Sequence, residues 1–290
     1  MRSLAHNDQQ LVVATVSLTP DLDPAVTLER IKAAVERTQQ LHDGVRLILF
    51  GETILGWFYR SDQTSAYHHS IAETIPGPST DQVAALARKH RVYICFGLTE
   101  IENGVLYNAQ VLLSPAGDLI AKHRKLQIRN KVFAQGAEEL SLASVDGVKV
   151  ALLICADIRS VTLIRAIRRE RVELVLASLA DDSKLRVLNR LMSALFDAWV
   201  LVANRYGEEG TWFWHGLISI SDPWLRLRNW SIGRENVLVR GIRVTRVGHV
   251  ARWFRRIVTG VAALGWSVLL VARLAWEIGI QRWFRKRRTS

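Results

Sequence analysis

Cysteine is scarce in this chain: Cys95 and Cys155 are the only two in 290 residues. Two thiols cannot build a disulfide framework, and the usage fits a reducing compartment. Proline (6) and glycine (18) are also few, which excludes collagen-like, linker-dominated and largely disordered chains. The opening MRSLAHNDQQ has no apolar core, so no secretory signal is expected. Neither His-Glu-x-x-His nor paired-cysteine spacing occurs, so no metal site is expected; a Gly-x-Gly-x-x-Gly and a P-loop are absent as well. What remains is an ordinary globular composition, 49% hydrophobic and 23% charged, long enough to bury a full core without staples.

The net charge of +12 is unevenly spread. Residues 246–290 carry ten Lys/Arg against the single acid Glu277, leaving the body nearly neutral. Four of the ten tryptophans (Trp253, Trp266, Trp276, Trp283) lie in that tail. Sixteen uncharged residues, 257–272, precede Arg273, short of the ~20 that a membrane span needs. Basic residues, interfacial tryptophans and a broad apolar face predict an amphipathic helix. The expected partner is an anionic membrane surface, met through residues 249–290, with a buried oligomer contact as the alternative. Nucleic acid is disfavoured because the apolar stretch is too long for it. The domain boundary is therefore drawn at 248/249.

Along the body, apolar β-branched runs predict strands at 11–18, 45–50, 91–100, 105–114, 148–155, 172–179, 200–204, 215–223 and 235–244. Helical periodicity predicts helices over 25–41, 81–90, 160–170 and 183–199. Val26, Leu28, Ile31, Ala34, Val35 and Leu41 should line the buried face of the first, and Ser79 or Thr80 should cap the second. Asn103-Gly104 reads as a hairpin turn. Strands alternating with helices and hairpins indicate an α+β layered domain with mixed sheets.

Three reactive side chains stand just beyond strands: Glu52 after VRLILFG, Lys125 after LIAKHR, and Cys155 at the end of VKVALLIC. A thiol needs a base to become a nucleophile, which a carboxylate supplies, and an ammonium stabilises the anions that follow. Each signal alone is weak, because a strand cysteine is ordinarily a small core residue.

The flanking residues decide. FGETILGW (50–57), HRKL (123–126) and ICADIR (154–159), with Glu52, Lys125 and Cys155 spaced by 73 and 30 residues, resemble the three ordered blocks of the nitrilase (carbon–nitrogen hydrolase) superfamily. IPGPST, GVLYNAQVLLSPAGDLIAKHRK, FAQG (133–136), VANRYG (202–207) and GLISISDP extend the likeness over roughly residues 10–245. The resemblance implies a four-layer α-β-β-α sandwich, commonly paired into a homodimer or larger homo-oligomer. It implies a Glu-Lys-Cys triad acting on a small amide or carbamoyl substrate through a thioester, with no metal or organic cofactor. The Ala156 backbone N–H would join Lys125 in stabilising the oxyanion, and Asp157 and Arg159 would support the nucleophile turn. Trp57 and Phe58 are candidate pocket residues, with plain core packing the alternative. Ala156-Asp157 after the cysteine points to the amidase and carbamoylase branches rather than to nitrile hydrolysis.

One family feature is absent. Many amidase-type members carry a second glutamate just before the phenylalanine matching Phe133, where this chain has QIRNKVF (127–133), placing Arg129 or Asn130 there. An arginine would favour an anionic substrate, or mark weakened hydrolysis. The expectation is a cytoplasmic amidohydrolase held at the inner face of a membrane. The alternatives are an acyl or amide transferase using the same thioester, or a non-catalytic membrane-bound scaffold.

Overall fold

In the computed structural model, residues 9–58, 64–128, 130–182, 186–244 and 257 are described. The chain divides into two compact units, 1–246 and 247–290. The helix expected over 249–290 lies outside the described residues, apart from Ile257. Among the described residues no helix is long and apolar enough to cross a membrane.

β1 (Gln9–Leu18) leads into α1 (Pro24–Leu41), then β2 (Val45–Leu49), α2 (Thr64–Ile71), α3 (Pro78–His90), β3 (Tyr93–Glu102), β4 (Val105–Leu113) and β5 (Leu119–Arg124). β6 (Leu142–Val145) and β7 (Val148–Ile154) precede a 3₁₀ turn at Cys155–Arg159. α4 (Val161–Arg169), β8 (Leu174–Leu179), α5 (Arg186–Phe196) and β9 (Trp199–Glu209) follow. β10 (Trp212–His215), β11 (Ile218–Ser221), β12 (Leu227–Ser231) and β13 (Asn236–Val244) complete the body.

The strands form two six-stranded halves, β13-β1-β2-β3-β4-β5 and β12-β11-β9-β8-β7-β6. Among the described residues, strand pairing joins them where Ser17 and Leu18 of β1 meet Asn204 and Arg205 of β9. Side-chain alternation then makes the layers. Leu11, Val13, Leu47, Leu49 and Cys95 face Leu152, Leu174, Leu176 and Leu201 between the halves. The opposite faces of β1 and β2 (Ala14, Val16, Ile48, Phe50) pack under α1 and α3 through Ile31, Val35, Val83 and Ala87. Ala151, Leu153, Val175, Ala177 and Val200 pack under α4 and α5 through Leu163, Ile167, Met192 and Phe196. This is the α-β-β-α sandwich.

Local chemistry fixes the ends. Asp23 accepts from the Ala25 N–H at 2.9 Å, and Pro24 opens α1 with its φ already helical. Val26 and Leu41, expected on the buried face of that helix, are instead 40% and 63% exposed. They lie at its two ends, beyond the sheet that Ile31 and Val35 cover. α3 starts three residues earlier than expected, with Gly77 at the cap and Ser79 and Thr80 inside the first turn. The Thr80 hydroxyl accepts from the Gly77 N–H at 2.6 Å, closing the turn from within. Asn103 (φ 51°) and Gly104 (φ 78°) form the hairpin turn between β3 and β4.

Candidate active site

Glu52, Lys125 and Cys155 follow β2, β5 and β7 at the end of the sandwich where the two halves join. The Glu52 N–H donates to the Leu179 carbonyl at 3.2 Å, tying the end of β2 to the end of β8. The Ser178 hydroxyl donates to the Phe50 carbonyl at 2.8 Å beside it.

The Glu52 carboxylate is buried, and both its oxygens are engaged. Oε1 accepts from Lys125 Nζ at 2.5 Å and Asn108 Nδ2 at 2.6 Å; Oε2 accepts from the Ala180 N–H at 2.9 Å. The Ala180 carbonyl lies 4.0 Å from Cys155 Sγ. One short segment after β8 thus touches both the carboxylate and the thiol.

Cys155 has φ 44°, in the left-handed region that a side chain adopts only when its surroundings enforce it. The constraint comes from buried Asp157. Its Oδ1 accepts from the Gln127 and Leu126 N–H groups at 2.7 and 3.1 Å, and its Oδ2 from the Ile154 N–H at 3.4 Å. His123 Nε2 lies 3.0 Å from Oδ2, and its Nδ1 lies 3.2 Å from the Ser141 hydroxyl. Asp157 therefore locks the lysine segment to the nucleophile turn. Ala156 is buried, and its N–H lies in the first turn of the 3₁₀ helix, where such groups lack an intrahelical acceptor. Arg159, by contrast, is exposed.

Burial, and next the Glu52 carboxylate, push the Cys155 thiol up to about 12, while Lys125 pulls it down. Burial also opposes the Lys125 ammonium, but the negative groups around it, Glu52 first, outweigh that and hold its pKa above the usual lysine value. The resting arrangement is a carboxylate–ammonium pair beside a neutral thiol, a base and an electrophilic anchor around a nucleophile.

Trp57 is half-buried, and Phe58 packs against Phe133 and Trp214 with ring centroids 6.4 and 6.2 Å away. Lys125 Nζ stands 5.8 Å from the Phe58 ring centre, so this aromatic wall adjoins the candidate triad. Arg129 lies outside the described residues. Asn130 Oδ1 accepts from the Val132 and Phe133 N–H groups at 3.1 and 3.3 Å, closing the loop that lacks a second glutamate. Glu138 and Glu139 are exposed and do not replace it. Among the described residues no group of three His, Cys, Asp or Glu side chains is arranged to hold a metal ion.

The matching family model is the carbon-nitrogen hydrolase domain, over residues 12–251. The chain belongs to the carbon-nitrogen hydrolase family. It is 31% identical over 164 residues to a nitrilase from Paraburkholderia phymatum, covering 51% of this chain and 48% of that protein. It is 30% identical over 156 residues to a formamidase from Bacillus cereus, covering 51% and 45%. The chain thus spans about half the length of these curated relatives. A variant of the amidase from Nesterenkonia sp. AN1 superposes with a TM-score of 0.71 at 20% identity, over 80% of this chain and 90% of that one. That structure shows covalent addition of the acetamide moiety of fluoroacetamide at its active site cysteine. The likeness establishes the nitrilase fold, whose two sheets and outer helices are those described above.

Sequence reasoning brought Glu52, Lys125, Cys155 and Asp157 to this site. It assigned no role to Asn108, Ala180, His123, Arg205 or Glu209. Asn108 and Arg205 sit inside stretches noted for their family likeness, LYNAQ and VANRYG. Ala180 acts through its backbone, which leaves no side-chain signal.

Proposed function

We propose that this protein hydrolyses a carbon–nitrogen bond of a small amide or carbamoyl compound through a thioester on Cys155. The 2.5 Å contact of Lys125 Nζ with Glu52 Oε1, beside a cysteine held at φ 44°, carries the reading. Glu52 takes the Cys155 proton as the sulfur attacks the substrate carbon. Lys125 and the Ala156 N–H stabilise the oxyanion. Glu52 returns the proton to the departing nitrogen, the C–N bond breaks, and a thioester remains. Water then gives a proton to Glu52, its oxygen attacks the thioester, and the acid leaves as Cys155 regains its proton.

The test is ammonia release and intact mass for wild type and Cys155→Ala over amides, carbamoyl amino acids and nitriles. Release that needs Cys155, with a transient acyl adduct, is expected. Full activity in Cys155→Ala would refute the mechanism, and an adduct without ammonia turnover would favour a transferase.

The basic, tryptophan-rich residues 249–290 support a second part of the reading, docking to an anionic membrane surface at about 1 kcal/mol per basic residue. Full-length protein is expected to float with anionic liposomes, and a chain ending at 248 to stay behind. Equal flotation of the two would remove this part.

A further inference from the structure

β9 carries a buried ion pair that the proposed reaction does not use. Arg205 is the largest fully buried side chain among the described residues. Its Nε donates to Glu209 Oε1 at 2.6 Å. Its Nη1 donates to the carbonyls of Glu52 and Thr53 at 2.9 and 2.6 Å, and its Nη2 to the carbonyl of Gly56 at 2.6 Å. Glu209 Oε2 accepts from the Phe58 N–H at 2.6 Å. The two side chains thus hold four backbone groups of the segment 52–58, the first being that of Glu52 itself.

In a straight strand, residues i and i+4 share a face but stand about 13 Å apart. Arg205 and Glu209 nevertheless meet, and Gly207 between them has φ 92°, a departure from regular strand backbone that disfavours any side chain. Gly207 also sits against Thr19, where a Cβ would crowd the threonine methyl at 2.9 Å. A buried ion pair is weak evidence for stability, since well-packed apolar residues often serve as well. The Arg205 donors not given to Glu209 are spent on carbonyls of one loop, so the arrangement fits a guide more closely than a brace.

We propose that Arg205 and Glu209 are positioning residues that aim the Glu52 carboxylate at Cys155, with Gly207 as the bend that lets them meet. The inference rests on the reading of Glu52 as the base. Arg205→Lys keeps the charge but has one nitrogen to serve three carbonyls. Glu209→Gln keeps the shape but turns one acceptor into a donor facing either the Phe58 N–H or the guanidinium. Gly207→Ala leaves both side chains in place and opposes the bend.

The experiment measures melting temperature, kcat and KM on whichever compound of the panel wild type turns over fastest, and the pH midpoint of Cys155 alkylation by iodoacetamide followed by intact mass. Glu52→Gln is the control. The alkylation midpoint needs no substrate, so it reads the site even where turnover is slow. All three variants are expected to lose about 100-fold in kcat, the scale of an ångström-sized misplacement, with KM changed less than about threefold. Their alkylation midpoints are expected to move down towards that of Glu52→Gln, because a displaced carboxylate no longer disfavours the thiolate. Folded variants with wild-type kcat and midpoint, against a shifted Glu52→Gln, would overturn the positioning role alone. An unshifted, fully active Glu52→Gln would overturn the triad reading and the inference with it. If Arg205→Lys does not fold, Glu209→Gln and Gly207→Ala decide by the same two readouts.

Discussion

The nucleophile turn and the glutamate loop meet at one point and are held there in opposite ways. The turn at Cys155–Arg159 is pinned by a side chain of its own: Asp157, two residues beyond the cysteine, gathers the N–H groups of its neighbour Ile154 and of Leu126 and Gln127 in the lysine segment. The loop at 51–58 is held from elsewhere in the chain. Arg205 and Glu209 hold it from β9, and the Tyr67 hydroxyl accepts from the Trp57 N–H at 2.9 Å. His68 Nε2 lies 3.0 Å from the Phe58 carbonyl. Gly97 of β3 lies under it, where a Cβ would collide with the Thr53 nitrogen and the Gly51 carbonyl. A nucleophile turn can be pinned by one carboxylate of its own to one neighbouring segment. A base that must reach it across the join of two sheets needs most of the fold.

Five measurements would sharpen or break that contrast. The largest effect belongs to the turn: Cys155→Ala is expected to lower kcat on the order of 10⁴-fold or more while the protein stays folded. Next is Asp157→Ala, which leaves several buried N–H groups unsatisfied. A loss of about 3 kcal/mol in urea unfolding is expected, and a loss below 1 kcal/mol would show that the turn is not held by Asp157.

The loop should show itself in acid. Burial is the main reason the His68 pKa falls from 6.5 to about 4. The unfolded chain binds that proton first, so this stability is complete above pH 6.5 and is lost as pH falls towards 4. The loss amounts to roughly 3 kcal/mol. In His68→Gln, that part of the acid dependence should vanish from unfolding curves taken between pH 7 and 4. Gly97→Ala should cost about 1–3 kcal/mol through the same loop, and an unchanged melting temperature would mean that the loop yields easily.

The smallest effects are on titration. Lys125→Met removes the group that favours the Cys155 thiolate, so its alkylation midpoint should rise. Glu52→Gln should move the midpoint the other way. Equal shifts of the same sign would break the assignment of opposite charges around the thiol.

The contrast also explains what could be read from the sequence. The nucleophile turn was legible because Cys155, Asp157 and the apolar strand before them are contiguous. The strands of the sandwich core were legible because their apolar runs are long. α2 was missed: TSAYHHSI has no apolar stripe, and it is anchored by Tyr67 and His68, whose partners lie in other segments. β6, β10 and β12 are four or five residues each, too short for a period to show.

By itself, then, the sequence determined a layered α+β domain, the ends of α1, α3, α4 and α5 to within a few residues, and three reactive side chains beyond strands. Those features follow from side-chain period, capping chemistry and local order along the chain. Only the tertiary structure decided that Glu52 receives Lys125, Asn108 and the Ala180 N–H together, and that Arg205 and Glu209 pair with each other and with the backbone of 52–58. The physical reason is that buried polar groups must find partners wherever the fold brings them. Around Glu52 those partners lie up to 153 residues away in sequence, as Arg205 does.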